Sequence, residues 1–130
     1  HYQHSSVPKE VLRRYYRLAD IMLVTPFKDG MNLVAKEYVA CHDDGSGALV
    51  LSEFAGAADE LNQAYLCNPF DIESVKAALL NALKALDDAP STMTQRMLTM
   101  HQQVTEHDVQ LWSQSFLGCL RQAEEQGAGA

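Results

Sequence analysis

The residues best placed to do chemistry stand in one short stretch. Asp29-Gly30 follows the apolar run Ile21-Met22-Leu23-Val24-Thr25 and its terminating Pro26, and Asn32, a good helix N-cap, comes directly after. A helix starting there leaves the amides of Leu33 and Val34 without intrahelical acceptors, at the positive end of its dipole, which suits a phosphate. Glu37 lies four residues beyond Leu33, on the same helical face and one turn further in. A carboxylate at that reach suits a ribose diol better than the phosphate itself. Asp29, at a strand tip, can accept hydrogen bonds from sugar hydroxyls. Together these features describe a nucleotide-sugar pocket. A plainer reading stands beside it, in which Asp29-Gly30 is a common turn, Asn32 only caps a helix, and Lys36 and Glu37 are solvated.

The elements that must position these residues can be read from periodicity. Residues 8–20 have apolar positions at three- and four-residue spacings (Val11, Leu12, Tyr15, Tyr16, Leu18), and Pro8 suits a first helical turn. Residues 21–25 read as a strand buried on both faces, and residues 33–42 as a helix. After the solvated loop 43–47 come a second buried strand, 48–52, the small-residue turn 54–58, and a short helix at about 58–62. A third strand at 64–68 leads into a helix that Pro69-Phe70-Asp71 opens and that runs to about Leu86. Two further helices are expected at about 92–107 and 109–125, with a disordered tail at 127–130.

Alternating strands and helices predict an α/β fold, a Rossmann-like parallel sheet with right-handed crossovers. One lobe is expected over residues 1–126, and its few strands, with a chain starting at His1, read as a lobe incomplete at its N-terminus. In such sheets ligands bind outside the carboxyl ends of the strands. That rule selects residues 27–32 and 53–58, where Gly30, Ala55, Gly56, Ala57 and Ala58 allow close approach to the backbone.

Composition narrows the function classes. The 130 residues carry a formal charge of -7 and no basic stripe, which argues against nucleic acid as a partner. Apolar runs are too short to cross a bilayer. Cys41, Cys67 and Cys119 are scattered and form no CxxC pair, so they read as buried free thiols in a reducing, cytoplasmic setting. His101 and His107 face different sides of a helix, and the metal expectation is none. The Met93, Met97, Met100 stripe reads as packing, as does Trp112 with Leu111, Phe116 and Leu120.

The run Leu23-Val24-Thr25-Pro26-Phe27-Lys28-Asp29-Gly30-Met31-Asn32-Leu33-Val34-Ala35-Lys36-Glu37-Tyr38-Val39-Ala40 resembles the signature of the trehalose-6-phosphate synthases. A second block, Leu49-Val50-Leu51-Ser52-Glu53-Phe54-Ala55-Gly56-Ala57-Ala58, is similar to the same family at the right distance. Weaker similarity continues through Asn68-Pro69-Phe70-Asp71 and His107-Asp108-Val109-Gln110-Leu111-Trp112. Lys28 stands where the family often has arginine and Phe27 where it often has leucine. Lysine lacks the bidentate geometry of arginine.

The resemblance implies a retaining glycosyltransferase of the two-lobed GT-B type, of which this chain is the later part of the donor-binding lobe. The implied reaction moves glucose from UDP-glucose, or another NDP-glucose, to glucose 6-phosphate. Carried over by position, Asp29 is catalytic and holds glucose hydroxyls, helped by the amides of Gly30, Met31 and Asn32. Leu33 and Val34 offer amides to the diphosphate, Ala35 and Lys36 belong to the same donor-binding run, and Glu37 binds the ribose. Val7 falls where the family contacts the uracil. No metal or other cofactor is implied. The family's diphosphate-gripping arginine and lysine lie earlier in the donor lobe and its glucose 6-phosphate pocket mostly in the N-terminal lobe, so the segment alone is expected to be inactive. A homo-oligomer is compatible with all this. Two other functions share the residues: a non-catalytic regulatory homologue and a pseudo-glycosyltransferase acting on a cyclitol. A glycosidase pair of Asp29 and Glu37 is disfavoured, because it gives no reason for the phosphate site.

Overall fold

A computed structural model describes residues 1–107. The expected helix at 109–125, the tail, the domain limit at 126, Cys119 and the packing of Trp112 lie outside the described residues. Three parallel strands, β1 (Ile21–Val24), β2 (Ala48–Ser52) and β3 (Tyr65–Cys67), pair in the order β1-β2-β3. The register places Ile21 opposite Ala48 and Val50 opposite Tyr65. The helices are α1 (Lys9–Leu18), α2 (Leu33–Ala40), α3 (Ala57–Glu60), α4 (Ile72–Asp88) and α5 (Pro90–Glu106).

Central β2 is buried along its whole length, and its side chains alternate between two cores. Leu49 and Leu51 join Tyr16, Ala35, Tyr38, Val39, Met97 and Met100 on one face. Ala48 and Val50 join Cys67, Ala78, Ala82 and Met93 on the other. The methionine stripe is therefore packing. Cys67 is a buried free thiol, pushed above its ordinary pKa by burial, and Cys41 is a half-buried one.

β1 corrects the expectation of a strand buried on both faces. Leu23 is 44% exposed, and of the four residues only Val24 is buried. The reason is position: among the described residues β1 is an edge strand, with β2 as its sole neighbour. Helix limits also shift. α1 stops at Leu18 because Ala19 turns extended, letting the Asp20 carbonyl begin the sheet by accepting from the Ala48 amide. α4 and α5 meet at Ala89 with hardly any loop, since Pro90 at the first position of α5 both blocks the earlier helix and starts the next.

Candidate functional site

Three backbone hydrogen bonds join the two segments that follow β1 and β2. The Asp29 amide donates to the Phe54 carbonyl at 3.2 Å, Gly56 to Asp29 at 2.9 Å, and Ala57 to Met31 at 2.6 Å. Asp29 and Ala55 thereby continue the parallel pairing beyond the strands. Gly56 is required for this contact, because a Cβ there would run into the Gly30 carbonyl. The two stretches that the sheet-edge rule selected are thus one surface.

Within that surface the Asp29 carboxylate is held by its own turn. One oxygen accepts from the Met31 amide and the other from the Asn32 side-chain amide, both at 3.0 Å. Asn32 in turn caps α2, its Oδ1 accepting from the Ala35 amide at 2.9 Å. It does so with φ 73, in the left-handed region that asparagine tolerates better than most residues. The amides of Leu33 and Val34 make no hydrogen bond to the described residues, and both side chains are exposed. No acidic residue stands in the first turn of α2. The front of α2 therefore has no acid of its own in the first turn, and the Asp29 carboxylate is the anion held beside its cap.

The other expected site residues divide. Gly30 is exposed at the tip of the turn, and Met31 is exposed with its amide already engaged by Asp29. Ala35 is fully buried, with its amide taken by Asn32. Lys36 turns to α3, where its ammonium contacts both carboxylate oxygens of Glu60 at 2.8 Å. Glu37 is exposed, and its Oε2 accepts from the Tyr16 hydroxyl at 3.2 Å. Burial first, then this carboxylate, pushes the Tyr16 phenol up to about 12, so it is a proton donor at neutral pH. Val7 is partly buried just ahead of α1 and makes no hydrogen bond to the Asp29 turn.

Sequence reasoning missed two features. Phe27, Phe54 and Phe70 cluster although each follows a different strand: Phe27 stacks on Phe70 at 4.8 Å and Phe54 meets Phe70 edge-on at 5.7 Å. Phe27 and Phe70 remain 64% and 69% exposed, an aromatic patch on the ligand edge of the sheet. Its only trace in sequence is a phenylalanine shortly past each strand end. The second missed feature is Tyr16, which periodicity identified as a packing residue without its polar partner.

Residues 1–122 match glycosyltransferase family 20. The chain belongs to that family. It is 56% identical over 124 residues to a trehalose-6-phosphate synthase of Mycolicibacterium vanbaalenii, covering 95% of this chain and 25% of that protein. It is 51% identical over 129 residues to the trehalose-6-phosphate synthase of Mycobacterium tuberculosis H37Rv, covering 99% of this chain and 25% of the relative. The chain thus spans about a quarter of the length of the relatives it matches.

Solved family 20 structures agree with this placement. A trehalose-6-phosphate protein from E. coli bound with UDP-2-fluoro glucose superposes with TM-score 0.81 at 41% identity, over 93% of this chain and 26% of the other. A synthase from Burkholderia xenovorans in complex with glucose-6-phosphate gives TM-score 0.79 at 42% identity, over 91% and 26%. The α/β sheet with flanking helices is therefore one part of a family 20 fold. Among the described residues no helix is long and apolar enough to cross a membrane.

Proposed function

We propose that this chain is the donor-binding segment of an enzyme that transfers glucose from a nucleoside-diphosphate glucose to glucose 6-phosphate, with retention, forming trehalose 6-phosphate. The observation that carries it is the joint placement of Asp29 and the front of α2. A carboxylate oriented by two donors stands beside two unengaged amides at a helix end with no acid in its first turn, beyond the carboxyl ends of a parallel sheet. Solved relatives that hold UDP-2-fluoro glucose and glucose-6-phosphate support this choice of substrate classes.

In this reading the Asp29 carboxylate receives hydroxyls of the glucosyl unit, and Gly30 lets the sugar approach the backbone. The diphosphate receives the Leu33 and Val34 amides, and as leaving group it gathers the negative charge that the dipole end favours. Glu37 receives the ribose hydroxyls. Val7 provides a backbone contact to the base. Because Ala35 and Lys36 are engaged within the protein, their part is to fix the helix end and its packing on α3 rather than to touch the donor. Cations on the leaving group and an oriented acceptor come from parts of the polypeptide other than this segment, which is inactive by itself.

The test uses the complete polypeptide. Asp29→Ala is expected to lower glucosyl transfer from UDP-glucose by on the order of a thousandfold. Loss of its two turn hydrogen bonds costs about 1–2 kcal/mol of stability. Near-normal transfer with a normal melting curve would remove Asp29 from the reaction.

A further inference from the structure

We propose that Tyr16 is a positioning residue for the Glu37 carboxylate, holding it in the orientation that receives the ribose hydroxyls of a nucleoside diphosphate. The proposal rests on the donor-site reading above and extends it to a residue on another helix. Glu37 is exposed, and a free glutamate on a helix surface samples several rotamers that binding must then freeze. Its Oε2 accepts from Tyr16, far away in sequence on α1, at 3.2 Å, while Oε1 makes no hydrogen bond to the described residues. One carboxylate oxygen is thus anchored and the other is left for a ligand.

The anchor is rigid. Tyr16 is only 7% exposed, and its ring meets Tyr38 edge-on at 6.3 Å and 87°. Tyr38 is fully buried, its hydroxyl donates to the Ala19 carbonyl at 2.9 Å, and the His42 ring lies 4.3 Å away. Tyr38 also follows Glu37 directly in α2, so the packed ring that fixes the phenol belongs to the helix that carries the carboxylate. A group ordered before the ligand arrives loses less entropy on binding. The competing account is that a buried hydroxyl simply needs an acceptor. That account gives no reason for an effect specific to ribose hydroxyls.

Calorimetry on the complete polypeptide with UDP and with 2′,3′-dideoxy-UDP separates the two. The unaltered protein is expected to prefer UDP. Tyr16→Phe is expected to cut that preference about fivefold, on the scale of one aligned hydrogen bond, without changing the affinity for the dideoxy compound. Glu37→Gln is expected to abolish the preference, and adding Tyr16→Phe to it should cost nothing more. If Tyr16→Phe keeps the full preference while Glu37→Gln loses it, the positioning role is wrong and the donor site stands. An equal loss for both ligands in Tyr16→Phe also overturns the role, leaving Tyr16 as packing. A full preference in Glu37→Gln removes the ribose assignment itself, and Tyr16 with it.

Discussion

Two helices, α2 and α4, each follow a strand of the same sheet, and each begins with an Asn or Asp cap, yet their front ends are chemically opposite. At α4 the cap is the Asp71 carboxylate, which accepts from the Glu73 amide at 3.0 Å, and Glu73 adds a second acid in the first turn. Just ahead of it, the Asn68 side chain accepts from the Phe70 amide and the Asn68 backbone amide donates to the Ser74 hydroxyl. At α2 the cap is neutral Asn32, the first turn holds no acid, and the amides of Leu33 and Val34 are unengaged. One helix is capped by an anion, and the other by a neutral amide that holds the Asp29 carboxylate ahead of it. Asn32 caps from the left-handed region and Asp71 from the extended one, but the difference that bears on the proposed donor site is charge, since neither the cap nor the first turn of α2 carries an acid.

Giving α2 the acid that α4 already has should produce the largest effect. Leu33→Glu in the complete polypeptide is expected to weaken UDP affinity on the order of a hundredfold, from a like charge placed beside the diphosphate. Stability should stay the same or rise by about 0.3–1 kcal/mol, because an acid at this end suits the dipole. Undiminished UDP affinity would mean that the diphosphate does not sit there. Next comes the seam that holds the α2 end in place. Gly56→Ala forces the Gly30 carbonyl away and is expected to cost about 1–3 kcal/mol in thermal unfolding, with a parallel loss of UDP affinity. Unfolding unchanged from the native curve would show that the two loops separate freely. The smallest effect belongs to the other helix. Asp71→Ala should cost about 1 kcal/mol as a lost cap and leave UDP affinity untouched. A drop in affinity there would erase the distinction between the two ends.

The two helix starts also show how far residue types alone could reach. Asn32 as the cap of α2, Asp71 as the opening of α4 and the three strands were legible because caps and apolar runs are local in sequence. Burial was less legible at the edges: Tyr15, Leu18 and Leu23 carry the apolar pattern but are exposed. Periodicity reports which face a residue shares, not whether a neighbour covers that face. Ile72 and Leu83 on α4 repeat the lesson, since the small residues Ala78 and Ala82 are the ones buried instead.

By itself the sequence determined the α/β class, the strand ends that the sheet-edge rule selects, and family 20 membership through an unbroken run from Leu23 to Ala40. These follow from short-range rules of period, capping and motif. Only the tertiary structure decided that Asp29 is clamped by Met31 and Asn32, that Lys36 is spent on Glu60, that Tyr16 holds Glu37, and that three phenylalanines meet. Each of the last three joins side chains distant in the chain. Even the local Asp29 clamp sits in a turn tied to Phe54 and Gly56, a seam that no pattern of spacing records because chain folding brings those groups together.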